Sequence, residues 1–229
     1  MVEHVRRRGI MNSYDVPVYV LSGDQEILMS IENFGGKTFK TQNEHPNGLS
    51  RVFEASDAWD FTHYIVLQGD EVLVLPSQLD SLIEAIKNRP SVNFWNLISP
   101  LTSQSEIDDI SVVKCLLNNL EEIFTIFRGN PLTTSIDMQM NMMHKICGLF
   151  AVSSQALKTI CTDPTTQIEF NESIEQMKYI EIGKSIQAIK TEYSFTSINL
   201  PIDHSSVLLS LEKSEIQKKI LRQTLDNDQ

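Results

Sequence analysis

The chain has 229 residues, 41% of them hydrophobic and 21% charged, enough for one α/β domain with a sizeable core. Its formal net charge of -11 disfavours nucleic-acid binding, because such a surface repels a phosphate backbone; a nucleotide needs only a local cluster of donors and a metal. Cys115, Cys147 and Cys161 match no zinc or redox spacing, and no apolar run reaches the length of a membrane span.

Reduced thiols and a cytoplasmic location without a membrane partner are therefore expected. Residues 1–10 read as a helix and lack the apolar run of a secretion signal. Val2, Val5 and Gly9 are placed inward, and Arg6, Arg7 and Arg8 in solvent. Residues 17–21 form a β-type run. Residues 26–34 have helical spacing at Ile27, Ile31 and Phe34, and Gly35-Gly36 follows as a C-terminal cap, not a phosphate cradle. A strand is expected at 37–41 and a helix at about 50–59.

Residues 64–67 read as a buried parallel strand. Residues 77–89 form an amphipathic helix with Leu79, Leu82, Ile83 and Ile86 on one face. This alternation predicts a single three-layer α/β domain with a mixed, mostly parallel sheet. Residues 92–102 show no regular pattern. Strands are expected at 112–117, 123–127 and 146–152, and a mobile Met-rich loop at 135–141. A helix at 167–182 is closed by Gly183, and 185–190 and 194–199 read as extended. Pro201 opens one last helix with Val207, Leu208, Leu211, Ile216 and Ile220, and 226–229 is a frayed tail.

The most informative segment is Gln68-Gly69-Asp70-Glu71, directly after the 64–67 strand. Carboxylates at the carboxyl end of a strand in an open α/β sheet stand where ligands bind, and oxygen ligands there suit Mg²⁺. The other reading of the same residues is a turn with solvated acids. His4, His45, His63, His144 and His204 show no metal-ligand spacing.

Several segments together resemble the 3-deoxy-manno-octulosonate (Kdo) cytidylyltransferases, a family of CMP-sugar synthetases. GGKTFKTQNEHPNGLSRVFEA is similar to that family's pattern through Gly35, Gly36, Thr41, His45, Gly48, Arg51, Glu54 and Ala55. IVLQGDEVLVLP resembles its Gln-Gly-Asp-Glu turn, SVVKCLL its Val-Val-Lys segment, and SINLPIDH its Val-Asp-Thr-Pro segment. IEFNESIEQMKYIEIG matches its Glu-Gln helix through Glu169, Glu172, Glu175, Gln176, Glu181 and Gly183.

The resemblance implies a nucleotidyltransferase (Rossmann-like) fold and transfer of CMP from CTP to Kdo or a related acid sugar, with Mg²⁺ as cofactor, in lipopolysaccharide biosynthesis. It implies Asp70 as catalytic residue and, with Asn199, as metal ligand. Gly48, Arg51 and Gln68 are implied at the nucleotide, and Lys114, Arg128, His144, Glu172, Glu175 and Gln176 at the sugar. His144 lies two places from Ile146, which aligns with the family's sugar-contacting histidine, and Leu200 stands where the family has a capping threonine. The family's first strand and its Arg-x-x-Ser-x-Arg-x-x-Gly-Lys loop have no counterpart after Met1, so weak CTP binding and little turnover are expected. The alternative is a cytidylyltransferase-like binding or regulatory protein, or a degenerate gene product. A homodimer is expected from the family and from the apolar content of 123–127 and 138–143.

Overall fold

A computed structural model of the chain describes residues 1–194 and 196–226. Helix α1 (Val2–Ile10) leads to strand β1 (Tyr19–Ser22), helix α2 (Gln25–Asn33), strand β2 (Lys37–Lys40) and helix α3 (Gly48–Ser56). Strand β3 (His63–Leu67), helix α4 (Pro76–Asn88), strand β4 (Phe94–Pro100) and helix α5 (Gln104–Asp108) follow. Strands β5 (Lys114–Leu117) and β6 (Glu122–Phe127), helix α6 (Ile136–Met142) and strand β7 (Met143–Ser153) complete the middle of the chain. Then come α7 (Ser154–Thr162), α8 (Gln167–Glu172), α9 (Met177–Glu181), β8 (Ile186–Lys190), α10 (Asp203–Lys213) and α11 (Glu215–Asp226).

The large sheet has the order β3-β7-β4-β8-β6-β5, and β5 also pairs with the amino half of β7, so five strands close on themselves. β1 and β2 pair separately, in parallel. The sheet is mixed, but it is not mostly parallel as expected. β4–β8 is parallel, whereas β7 runs antiparallel to β3, β4 and β5. The reason is the length of β7: its eleven residues reach three neighbours, and its direction sets the sign of each pairing. The 64–67 run is therefore an antiparallel strand with alternating burial.

Helices cover both faces of the large sheet. Phe94, Ile98, Phe150 and Val152 pack with Leu49, Leu157, Ile174 and Met177 on one side. Trp95, Leu97, Leu149 and Ala151 pack with Leu79 and Leu82 of α4 on the other. β4 is buried along nearly its whole length, so it has no inside-outside alternation, and the sequence pattern missed it.

Other expectations change. Arg7 and Arg8 are buried, not solvated: Arg8 donates to the Val74 carbonyl at 2.9 Å and to Gln217 Oε1 at 2.7 Å beneath α11. Leu28 and Ile31, not Phe34, form the inner face of α2, and Phe34 lies out under the Arg7 guanidinium. The expected loop at 135–141 is mostly helix α6, capped by Ser135, whose Oγ accepts from the Met138 N–H. The helix expected over 167–182 is two short helices, because Ser173 adopts the left-handed conformation with φ 53°. The last helix divides at Ser214. Gly35, at φ 68°, does cap α2. Of the expected 194–199 extension, Phe195 lies outside the described residues and the others form no strand. Asp226 ends α11, and 227–229 of the expected tail lie outside the described residues.

Candidate active site

The site is built at the amino end of α3 and the carboxyl end of β3. Asn47 caps α3, its side chain accepting from the Ser50 N–H at 2.9 Å. The Leu49 N–H, another free donor of the first turn, goes to Glu175 Oε2 at 2.8 Å. The helix is interrupted at Ser173, and Glu175, in the stretch between α8 and α9, is turned inward. Glu175 is 7% exposed, and its Oε1 is buried without a hydrogen-bond partner. Burial pushes its carboxyl above the usual range, opposed by the Leu49 and Gly48 N–H groups and by Gln68.

Gln68 opens the turn after β3, its N–H donating to the Gly148 carbonyl at 2.8 Å. Glu71 Oε1 accepts from the Gly148 N–H at 2.6 Å. A Cβ at position 148 would overlap Gln68 Oε1 and stand 2.8 Å from Glu71 Oε1, so any larger residue would have to push these side chains aside. Burial raises the Glu71 carboxyl as well, with the Gly148 bond opposing. Asp70 is half-buried, burial raises its carboxyl, and it forms no ion pair with the described residues.

The Ile198 N–H donates to the Asp70 carbonyl at 3.0 Å, which brings Asn199 beside the turn. Asp203 holds this loop, accepting from the N–H groups of Asn199 at 2.9 Å and Leu200 at 2.7 Å. Asp203 thus ties the loop to the start of α10, which has no side-chain cap of its own. The Asn199 side chain is exposed and hydrogen-bonds to none of the described residues.

Gly48, Gln68, Asp70, Glu175 and Asn199 are thereby gathered around one corner, and Gln176 joins them through Asn96, which bonds the Cys147 carbonyl next to Gly148. Arg51 points the other way along α3. It binds Thr41 Oγ1 and the carbonyls of Gln42 at 2.9 Å and Asn43 at 3.3 Å, holding the chain after β2 against the helix.

The remaining expected sugar residues form a second group on β5, β6 and β7. Lys114 is fully buried and donates to the Asp109 carbonyl at 2.7 Å; burial lowers its pKa, with Asp109 opposing. Arg128 donates to the carbonyls of Glu172 at 2.8 Å and Ile110 at 3.1 Å, so Glu172 is held here by its backbone. His144 pairs in register with Cys115, next to Lys114, and its Nδ1 is buried without a partner; burial lowers its pKa. Lys145 lies opposite Lys114, forms an ion pair with Glu106 at 3.5 Å and favours the charged forms of Glu71 and Asp109, so it links the two groups. Lys145 and Asn96 carried no sequence signal. Glu71 had one, in the same motif as Asp70.

Among the described residues no cluster of three or more histidine, cysteine or acidic side chains is placed to hold a metal by itself. One half-buried carboxylate without a protein cation suits a metal that takes its other ligands from phosphate oxygens and water. An α/β fold with such a corner at a strand's carboxyl end fits a nucleotidyltransferase.

The comparisons narrow the class. The family model "Cytidylyltransferase" matches residues 1–186, and the chain belongs to that family. It is similar to the 3-deoxy-manno-octulosonate cytidylyltransferase of Thermodesulfovibrio yellowstonii, 28% identical over 89% of this chain and 84% of that one. The enzyme of the same name from Escherichia coli is 24% identical over 94% of this chain and 87% of its own. A solved CMP:2-keto-3-deoxy-manno-octonic acid synthetase complexed with CTP superposes with a TM-score of 0.82 at 23% identity, covering 92% of this chain and 88% of that one. The inositol-1-phosphate CTP transferase of T. maritima shares the fold at a TM-score of 0.63 and 15% identity, covering 96% of this chain and 82% of its own.

Proposed function

We propose that this chain transfers CMP from CTP to 3-deoxy-manno-octulosonate or a closely related acid sugar. The sugar's anomeric hydroxyl oxygen attacks the α-phosphorus of CTP and gives up its proton to solvent, the bond from that phosphorus to the bridging oxygen breaks, and pyrophosphate leaves. The observation that carries the reading is the juxtaposition of Asp70 and the Ile198–Asn199 loop at the carboxyl end of β3. Mg²⁺, held by Asp70 and by the side-chain oxygen of Asn199, would neutralise charge on the phosphates.

The chain's own residues position the reactants. Gly48 and Gln68 flank the nucleotide, and Glu175 and Gln176 stand on the sugar side. Lys114, Lys145 and Arg128 give that side a local positive field within a chain of net charge -11. Arg51, Lys114 and Arg128 are already bonded to backbone carbonyls, so the metal takes the larger share of triphosphate charge, and turnover is slow. A cytoplasmic homodimer is part of the proposal. Its support is the exposure of Phe124 on β6 and of Met138 and Met142 on α6, and the absence, among the described residues, of a helix long and apolar enough to cross a membrane. The test is pyrophosphate release with CTP and Kdo. Release that requires both substrates and Mg²⁺ supports the reading, and none under any of these conditions overturns it.

A further inference from the structure

Asn96 is fully buried in the middle of β4, where the register against β7 shifts between Asn96 and Ile98. Such a shift leaves backbone groups off the ladder, and buried ones need other partners. Asn96 Nδ2 supplies them, donating to the Leu97 carbonyl at 2.8 Å and to the Cys147 carbonyl at 3.1 Å. Carbonyl oxygens only accept, so the amide orientation of Asn96 is fixed with its NH₂ on that side. Its Oδ1 must then face the other way, where Gln176 Nε2 stands at 3.2 Å. An oxygen there admits only a donor, so Gln176 turns its own NH₂ to Asn96. Gln176 Oε1 is left on the opposite side of its amide, and none of the described residues donates to it.

We infer that Asn96 is a positioning residue that locks the Gln176 amide, so that its oxygen, and not its NH₂, is offered to a hydroxyl of the acid sugar. The identity of the substrate rests on the CMP-transfer reading; the lock rests on this structure alone. A free amide presents a donor or an acceptor by simple rotation. A locked one selects a substrate group that carries a proton, and rejects an acceptor-only group at the same place.

The lock is read without substrate by following the side-chain amide of Gln176 in the ¹⁵N-labelled full chain, its signal assigned by its loss in Gln176→Glu. In the parent the Gln176 NH₂ exchanges slowly with solvent; in Asn96→Ala it exchanges faster by about tenfold or more. In turnover assays Asn96→Ala raises KM for the sugar about threefold to tenfold, the worth of one hydrogen bond, while KM for CTP and kcat stay within about twofold. If Asn96→Ala fails to fold, Asn96→Ser takes its place, and the parent's amide signal still reports the lock. A Gln176 amide that exchanges equally fast in parent and variant overturns the inference, as does a variant that weakens CTP and sugar equally or leaves the sugar KM unchanged. Absence of any turnover in the parent counts against the CMP-transfer reading, and the amide signal then decides the lock by itself.

Discussion

The backbone N–H of Ile198 donates to the carbonyl of Asp70 at 3.0 Å, tying the loop before α10 to the turn after β3. Because Asp203 also holds the N–H groups of Asn199 and Leu200, that loop is fixed from two sides. The consequence is that the backbone at Asn199 is held beside the Asp70 turn at the carboxyl end of β3.

If Asp70 and Asn199 share a metal, their exchange of charge is measurable. Asp70→Asn should lower turnover by about a hundredfold or more, as expected when a group stabilising transition-state charge is lost. Asn199→Asp should lower the Mg²⁺ concentration needed for half-maximal turnover, since a second carboxylate strengthens a hard-cation site. A midpoint unchanged in Asn199→Asp would remove Asn199 from the metal.

Glu175 sets a pH dependence of stability. Its pKa is raised in the folded state from an ordinary value of 4.5, first by burial. The stabilisation from holding the proton is therefore complete below the unfolded pKa and is lost as pH rises through the folded one. Each unit of elevation is worth about 1.4 kcal/mol. Glu175→Gln, which stays neutral and keeps an oxygen for the Leu49 N–H, should gain in melting temperature over the parent as pH rises above about 4.5. A difference in melting temperature that does not vary with pH would mean the carboxyl is not raised.

The close approach at Gly148 can be tested against an internal control. Gly148→Ala would drive a Cβ into the Gln68 and Glu71 side chains and should cost about 1–3 kcal/mol in denaturant unfolding, with loss of turnover. Gly129 has nothing within 4 Å of an added Cβ, so Gly129→Ala should stay within about 0.5 kcal/mol of the parent. Equal stability of the two variants would show that the Gly148 corner opens freely.

Arg8 is the buried charge most at odds with the sequence pattern. Its burial lowers its pKa to about 10, and its guanidinium satisfies the Val74 carbonyl and Gln217. Arg8→Ala leaves those groups unpaired beside a void and should cost about 2–4 kcal/mol by thermal or urea unfolding. A cost below about 1 kcal/mol would mean that water replaces the guanidinium without penalty.

What the sequence made legible follows from how each signal arises. Asp70 was readable because acids in a turn directly after a strand are a local signal, whereas Gln68 and Gly48 were readable only through the family resemblance; the structure brings the three to one corner. Asn199 was readable through its resemblance to a motif, although the residue that holds its loop, Asp203, was not seen. β4 was missed because a strand buried on both faces loses its alternation, and with it Asn96, a polar residue in an apolar run. The split at Ser173 was missed because the apolar spacing continues through it and a serine gives no local sign of a left-handed backbone. Arg8 was misread because an arginine run looks like a wet face until a distant helix, α11, is known to lie over it.

The most direct measurement is pyrophosphate release by the full chain with CTP, Kdo and Mg²⁺, in parallel with Asp70→Asn. Release should be slow, should need all three components and should fall by about a hundredfold or more in the variant. Release that is equal in parent and Asp70→Asn, or that proceeds without the sugar, would contradict CMP transfer at this corner.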